Sequence, residues 1–271
     1  MDLQGEMLGA SENQEKNNDL SSVTLFVVRH ARTNYQEREA VKQTGRWDPT
    51  INDITPEGEQ ELEVTAADIV RQIDPQKEVA IFLSSPRARA LSTQRVIERF
   101  LADKHINVGE RLVVEALRSG GDNSPITGEN NQAINKDGTL YDATFLDEEG
   151  SEETRGIRFR NFLSMFATID KERLAKVIET SSIFKGKKPV FIAITHGEVL
   201  HAQGVPNNDY LASFLGQAFP DRLVKLSRGQ AMRLNFDLTH PGDLSLSMPA
   251  QLNQPITALH YNSNNGSIVR K

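Results

Sequence analysis

The chain has 271 residues, 38% of them hydrophobic, a formal net charge of −6 and no cysteine. That length and apolar content suit one large α/β domain with a substantial core, and the acid excess argues against nucleic-acid backbones or anionic membranes as general partners. The missing cysteine excludes disulfides, thiolate metal sites and a cysteine nucleophile.

Residues 1–22 are polar and lack the basic start and apolar core of a secretory signal, so they are expected to form a flexible arm. No later segment has the continuous apolar length of a membrane span. The default setting is therefore the cytoplasm, with neither membrane nor nucleic acid as partner. A domain over 23–240 follows the arm, and 241–271 forms a C-terminal extension.

The first strand is the apolar run that begins at Val23 and stops at Arg29-His30. A loop over 34–53 follows. Thr55-Pro56 then marks a helix start, with Thr as N-cap and Pro at the first helical position, and the helix runs to about Ile73. Val79 to Leu83 forms a second strand, followed by a helix from about Pro86 to Asp103 whose apolar side carries Leu91, Val96, Ile97, Phe100 and Leu101. Arg111 to Glu115 is a short extended edge. From Ala116 to Gly150 the chain is rich in Gly, Asn and Asp, which reads as an irregular excursion, either a recognition loop or a solvated one.

Ile157 to Thr180 reads as one helix through Phe159, Phe162, Leu163, Phe166, Ile169, Leu174 and Val177. Pro189 to Thr195 is another strand, and it ends in His196-Gly197-Glu198. Beyond it, Asn208 to Phe219 is expected to be helical and Gln230 to Leu238 extended. Ile256 to Tyr261 and Ser267 to Arg270 flank an Asn- and Gly-rich stretch as a hairpin. This extension has three open roles: edge strands, cover for a site, or contact with another subunit.

Two strands thus end in histidines, and a third ends in Ser84-Ser85-Pro86-Arg87-Ala88-Arg89. Strand C-terminal edges are where α/β proteins bind ligands, and guanidinium beside imidazole suits a phosphoryl group. Other chemistries fit less well. His196, Glu198 and His201 lack the i, i+4 histidine spacing of a helical zinc motif, so no metal is expected. Gly120-Gly121 lacks the Lys-Ser/Thr ending of a P-loop and reads as a turn.

With Arg29, His30 and Thr33, the chain resembles the histidine phosphatase superfamily, also called the phosphoglycerate-mutase-like family, whose signature is an Arg-His-Gly strand end with a Thr two residues later. The resemblance extends in order through Gly45 to Asp48, Thr55 to Gln60, Ser84-Ser85, Arg89-Ala90, Thr93, Glu115, Gly150 to Glu152 and Thr195 to Gly197. It departs at Ala31, which stands where the family has glycine and would be strained at positive φ. It departs again at Gln36, where many relatives have a phosphate-contacting asparagine.

What the resemblance implies is a three-layer α/β/α sandwich with a mostly parallel central sheet and a metal-independent, cofactor-free reaction on a small phosphorylated substrate. His30 would be the nucleophile, forming a phosphohistidine. Arg29 and Arg89 would grip phosphoryl oxygens, and His196, protonated or at least donating a hydrogen bond, would share the charge stabilisation. Glu115 would be the proton donor, with Asp122 and Glu198 as alternatives. Thr33, Gln36, Ser84 and Gly197 would line the substrate, although capping explains Thr33 and Ser84 equally well. Arg32 and Arg87 are expected to be solvated or peripheral. Hydrolysis is the leading outcome. Phosphoryl transfer of the mutase type and a noncatalytic phosphate-binding protein are the alternatives.

Overall fold

β1 (Ser22–Arg29) is buried on both faces: Val23, Leu25 and Val27 enter one apolar cluster, and Phe26 and Val28 another. Double burial of this kind is why the strand is written as an unbroken apolar run rather than an alternation. The computed structural model of the protein describes residues 20–33, 53–118, 132–134, 140–142, 152–197, 226–247, 257–262 and 267–271. Leu20 is already buried, and the Ser21 carbonyl accepts from the Leu238 amide at 2.8 Å. The fold therefore starts a few residues before Val23. The loop over 34–52 and the helix expected over 208–219 lie outside the described residues, as do Gln36, Asp122, Glu198, His201 and the Gly120-Gly121 pair.

An eight-stranded sheet runs in the order β10-β9-β8-β7-β1-β6-β2-β3. Its parallel core comprises β1, β6 (Lys188–Thr195), β2 (Glu78–Ser84) and β3 (Val108–Val113). On the other side of β1 the sheet continues as an antiparallel meander of β7 (Ala231–Asp237), β8 (Asp243–Ser247), β9 (Thr257–Asn262) and β10 (Ser267–Arg270). The sheet is thus mixed, and the expectation of parallel strands describes its site-bearing half. Of the three roles open to the C-terminal extension, edge strands are the one observed. β9 and β10 form the expected hairpin. β8 was not foreseen, because its Asp-Leu-Ser-Leu-Ser alternation buries only two leucines.

Two helices cover one face. α1 (Pro56–Arg71) buries Leu62, Ala66, Ile69 and Val70, and α2 (Ala88–Asp103) buries Ala90, Val96, Ile97 and Leu101, all in the cluster that holds Phe26, Phe82 and Ile192. Thr55 caps α1 as its sequence signals, its hydroxyl accepting from the Gly58 amide at 3.0 Å. The opposite face takes α3 (Glu152–Ala167) and α4 (Lys171–Thr180), where Phe166 packs with Phe162, Phe191 and Phe236.

The single helix expected over 157–180 is therefore two. Asp170 interrupts it and caps α4, accepting from the Arg173 amide at 2.8 Å. Apolar spacing continues across the break, which hides it from periodicity alone. Within the stretch read as irregular, β4 (Gln132–Ile134) and β5 (Leu140–Asp142) pair as a short antiparallel ribbon. No helix among the described residues is long and apolar enough to cross a membrane.

Gly58 binds this scaffold to the end of β1. A Cβ there would sit 2.5 Å from the Arg32 carbonyl oxygen and 2.9 Å from its amide nitrogen. Both are backbone atoms, so Gly58→Ala must push the first turn of α1 away from the segment after His30. We expect a loss of about 1–3 kcal/mol, measurable as a lower urea midpoint at unchanged m-value.

Candidate active site

β1, β6 and β2 are parallel neighbours, so their C-terminal ends reach the same sheet edge. Backbone hydrogen bonds lock the residues that leave it. The His30 amide donates to Thr195 O at 2.9 Å, and Ser85 N to Ile194 O at 3.0 Å. The Gly229 amide, at φ +73°, reaches both Arg29 O and His30 O at 3.1 Å. The Glu115–Leu117 turn is fixed to the same edge by Thr195 Oγ1, which donates to Leu117 O at 2.8 Å, and by Val114 N, which donates to Ser84 O at 2.8 Å.

His30 and His196 are both buried, with ring centroids 5.0 Å apart. Their protonation follows from their partners. His30 Nδ1 lies 2.7 Å from Ala31 O, and a carbonyl only accepts, so Nδ1 carries the hydrogen and Nε2 keeps its lone pair. Arg89 Nε lies 3.1 Å from His196 Nδ1. A guanidinium only donates, so this Nδ1 is bare and the hydrogen of His196 sits on Nε2, 2.7 Å from Ser85 Oγ.

Both imidazoles are held well below the ordinary histidine range. Burial is the main cause, and the Arg89 charge comes next for each. Arg29 and Arg228 add to the effect at His30, opposed by the hydrogen bond to Ala31, while His30, Arg87 and Arg29 add to it at His196. His196 is therefore neutral in this state, in contrast to the protonated form allowed by the resemblance. It meets the weaker condition of donating one hydrogen bond.

Arg89 is buried in the first turn of α2. Arg29 donates from Nη1 to Leu226 O at 2.9 Å, and its guanidinium lies across Gly197, where a Cβ would fall 2.5 Å from Nη2. Gly197 thus serves by having no side chain. Ala31 is buried and is not among the residues with positive φ, so the strain foreseen at this departure is absent. Its amide donates to Thr93 Oγ1 at 3.1 Å, and Thr93 in turn donates to Arg89 O at 2.7 Å.

Other expected positions differ. The Ser84 hydroxyl is spent on Gln94 Oε1 at 2.6 Å; Gln94 Nε2 then donates to Glu98 at 2.6 Å, which also receives Arg111 Nε at 2.8 Å. Strand alternation explains this: Ala80, Phe82 and Ser84 share the α1–α2 face. Ser85, just past the strand, meets His196 instead. Arg87 is buried rather than solvated, and its charge reaches His196, whereas Arg32 is exposed and pairs with Glu61 at 2.9 Å. Thr33 is buried, bridges to Ile54 and finds no hydrogen-bond partner for its hydroxyl among the described residues. Glu115 opens its turn at the sheet edge. Ser85, Arg87 and Thr93 are the site residues whose roles sequence reasoning missed. Ser85 and Thr93 lay within the matched motifs, but only the parity of β2 and the pitch of α2 say which hydroxyl turns inward.

No protein-family model and no curated relative matches the sequence. Solved structures similar to this chain at low identity include phosphatases and a mutase. One is a mycobacterial glucosyl-3-phosphoglycerate phosphatase complexed with VO3, at 16% identity and a TM-score of 0.38, covering 78% of this chain and 90% of its own. Another is the phosphoglycerate mutase of Plasmodium falciparum, at 14% identity and 0.38, covering 92% and 97%. A third is the phytase of D. castellii, at 10% identity and 0.36, covering 98% and 77%.

The neutral, buried histidines make stability depend on pH. The unfolded chain takes up protons near the ordinary value of 6.5, and the native state does so only well below it. Stability is thus complete above that value and declines as pH falls toward the folded pKa, by about 1.4 kcal/mol per pH unit for each histidine. Urea unfolding at pH 7.5 and 5.5 is expected to show a fall of about 2–3 kcal/mol in the wild type, and a much smaller one in His30→Gln/His196→Gln. An equal fall in both proteins would assign the dependence to other groups.

Proposed function

We propose that this chain is a metal-independent phosphomonoesterase in which His30 accepts the phosphoryl group. The observation that carries this reading is the fixed tautomer of His30. Its Nδ1–H is held by Ala31 O while the opposite nitrogen keeps a lone pair, and burial together with Arg89 keeps the ring neutral. A neutral nitrogen oriented from behind by a carbonyl is what nucleophilic attack at phosphorus requires.

Arg29 and Arg89 supply fixed positive charge for the phosphoryl oxygens, and a guanidinium fork suits their planar arrangement in transfer. His196, held at Nδ1 by Arg89, shares the charge stabilisation. In the first step the His30 Nε2 lone pair forms an N–P bond, the bond from phosphorus to the ester oxygen breaks, and the Glu115 carboxylic acid gives its proton to the departing alkoxide. In the second step the Glu115 carboxylate takes a proton from water as the water oxygen attacks phosphorus. The N–P bond breaks, orthophosphate leaves, and His30 is again neutral. The substrate class is a small phosphomonoester. This type of mechanism and the motif order from Arg29 to Gly197 support the histidine phosphatase superfamily as a whole, and the lack of obvious extended mutase recognition stretches in the sequence favours its phosphatase branch.

Phosphate release from p-nitrophenyl phosphate in the presence of a chelator, followed by release from a panel of phosphomonoesters, is the direct test. His30→Ala is expected to lower turnover by at least about 10³-fold, and rapid quenching of the wild type to trap an acid-labile, base-stable phosphoryl adduct. Unchanged release in His30→Ala, or a folded wild type that neither hydrolyses nor labels, would overturn the proposal. Gly197→Ala is a separate probe, because the atoms its Cβ would meet first belong to the Arg29 guanidinium. Orthophosphate affinity by calorimetry should drop about tenfold or more, with little change in the urea midpoint.

A further inference from the structure

The turn Ser227–Gln230 lies beside the end of β1. It closes with the Gln230 amide donating to Ser227 O at 3.1 Å, and Gly229 takes its third position at φ +73°, the type II pattern in which a residue with a Cβ would be strained. Gln230 Oε1 accepts from the Ser227 amide at 2.9 Å. The turn is also fastened to the reacting strand from both directions. Gly229 N donates to Arg29 O and His30 O at 3.1 Å, Arg29 N donates to Gln230 O at 3.0 Å, and Arg29 Nη1 donates to Leu226 O at 2.9 Å. Arg228, at the second position of the turn, is thus carried by backbone one residue away from an amide that touches the His30 carbonyl.

Exposure separates Arg228 from the other arginines around the two histidines. Arg87 and Arg89 are buried and Arg29 is half-buried, whereas Arg228 is exposed. Water screens an exposed charge. The charge of Arg228 nevertheless reaches the His30 ring and helps to hold its pKa down, so the guanidinium stays close to the reacting group. In a chain of net charge −6 the reason for a cation here is local and not a generally basic surface.

The phosphoryl group that His30 would accept lies among buried side chains, so the rest of the substrate has to extend toward solvent. A cation held at the rim meets that remainder. A guanidinium offers a planar fork of donors and accepts nothing, so the group it selects is an anion. A substrate anchored at its phosphoryl end displaces water from the rim and strengthens such a pair. We propose that Arg228 is a specificity-determining residue that engages a second anionic group, a carboxylate or a further phosphate, carried by the substrate beside the phosphoryl group transferred to His30. This inference rests on the function proposed above and narrows its substrate class.

Steady-state hydrolysis of matched aryl phosphates tests this. The anionic esters are meta- and para-carboxyphenyl phosphate and the corresponding phenylene bisphosphates, and the uncharged comparators are the carbamoylphenyl phosphates, which match the carboxylates in size. Wild type is expected to favour an anionic ester by about tenfold in kcat/KM. Arg228→Gln should bring that ratio close to unity, and Arg228→Lys should keep part of it. Because the ratio is taken within one protein, any general effect of the substitution on His30 cancels. Whether the carboxylates or the bisphosphates are preferred identifies the second group. A wild type without preference for any anionic ester, or a preference that survives in Arg228→Gln, would overturn the Arg228 assignment and leave the function standing. A folded wild type that hydrolyses none of the esters and forms no phosphohistidine would overturn both.

Discussion

The constraint on which the site depends is that a guanidinium cannot accept a hydrogen bond. By pointing Nε at His196 Nδ1, Arg89 decides where the hydrogen of that ring resides, adds its charge to the burial that keeps the ring neutral, and leaves the other nitrogen to meet Ser85. The same charge depresses His30. One buried cation thus reinforces what burial does to two imidazoles 5.0 Å apart. A lysine would supply the charge without the fixed direction of the N–H.

Holding a cation and two histidines inside a fold requires a frame that cannot relax around them. Here the frame is the parallel half of the sheet, with apolar clusters on both faces and the strand ends cross-linked by main-chain hydrogen bonds from His30, Ser85 and Gly229. The antiparallel half serves a different purpose. β7 pairs with β1 along most of its length and so covers what would otherwise be an open edge beside Arg29.

Much of this was legible in the sequence because double burial and strand ends leave strong signals. The apolar runs before His30, Ser84 and His196 mark the three strands, and Thr55-Pro56 marks the start of α1 within a residue. Where the sequence misled, the cause was local. The break at Asp170 lies under continuous apolar spacing, and β8 buries too few side chains to stand out. Ser84 and Ser85 are indistinguishable without knowing which strand face carries the helices. The tautomers were beyond reach, since they depend on atoms that meet only in three dimensions: Arg89 with His196 across 107 positions of sequence, and Thr93 with Ala31 across 62.

The chain of bonds from Ser84 through Gln94 and Glu98 to Arg111 gives α2 a mechanical role. The helix is a lever with a cationic tip. Turning it by about 10° about its axis would carry a side-chain tip some 5–6 Å off that axis through about 1 Å, and a misplacement of that size can cost a reacting site about a hundredfold in rate. Packing of aliphatic side chains resists such a rotation only softly. A hydrogen bond of 2.6 Å from the end of β2 to the middle of α2 resists it with direction. Arg111 and Glu98 thereby help tie the helix that carries Arg89 to the end of β2.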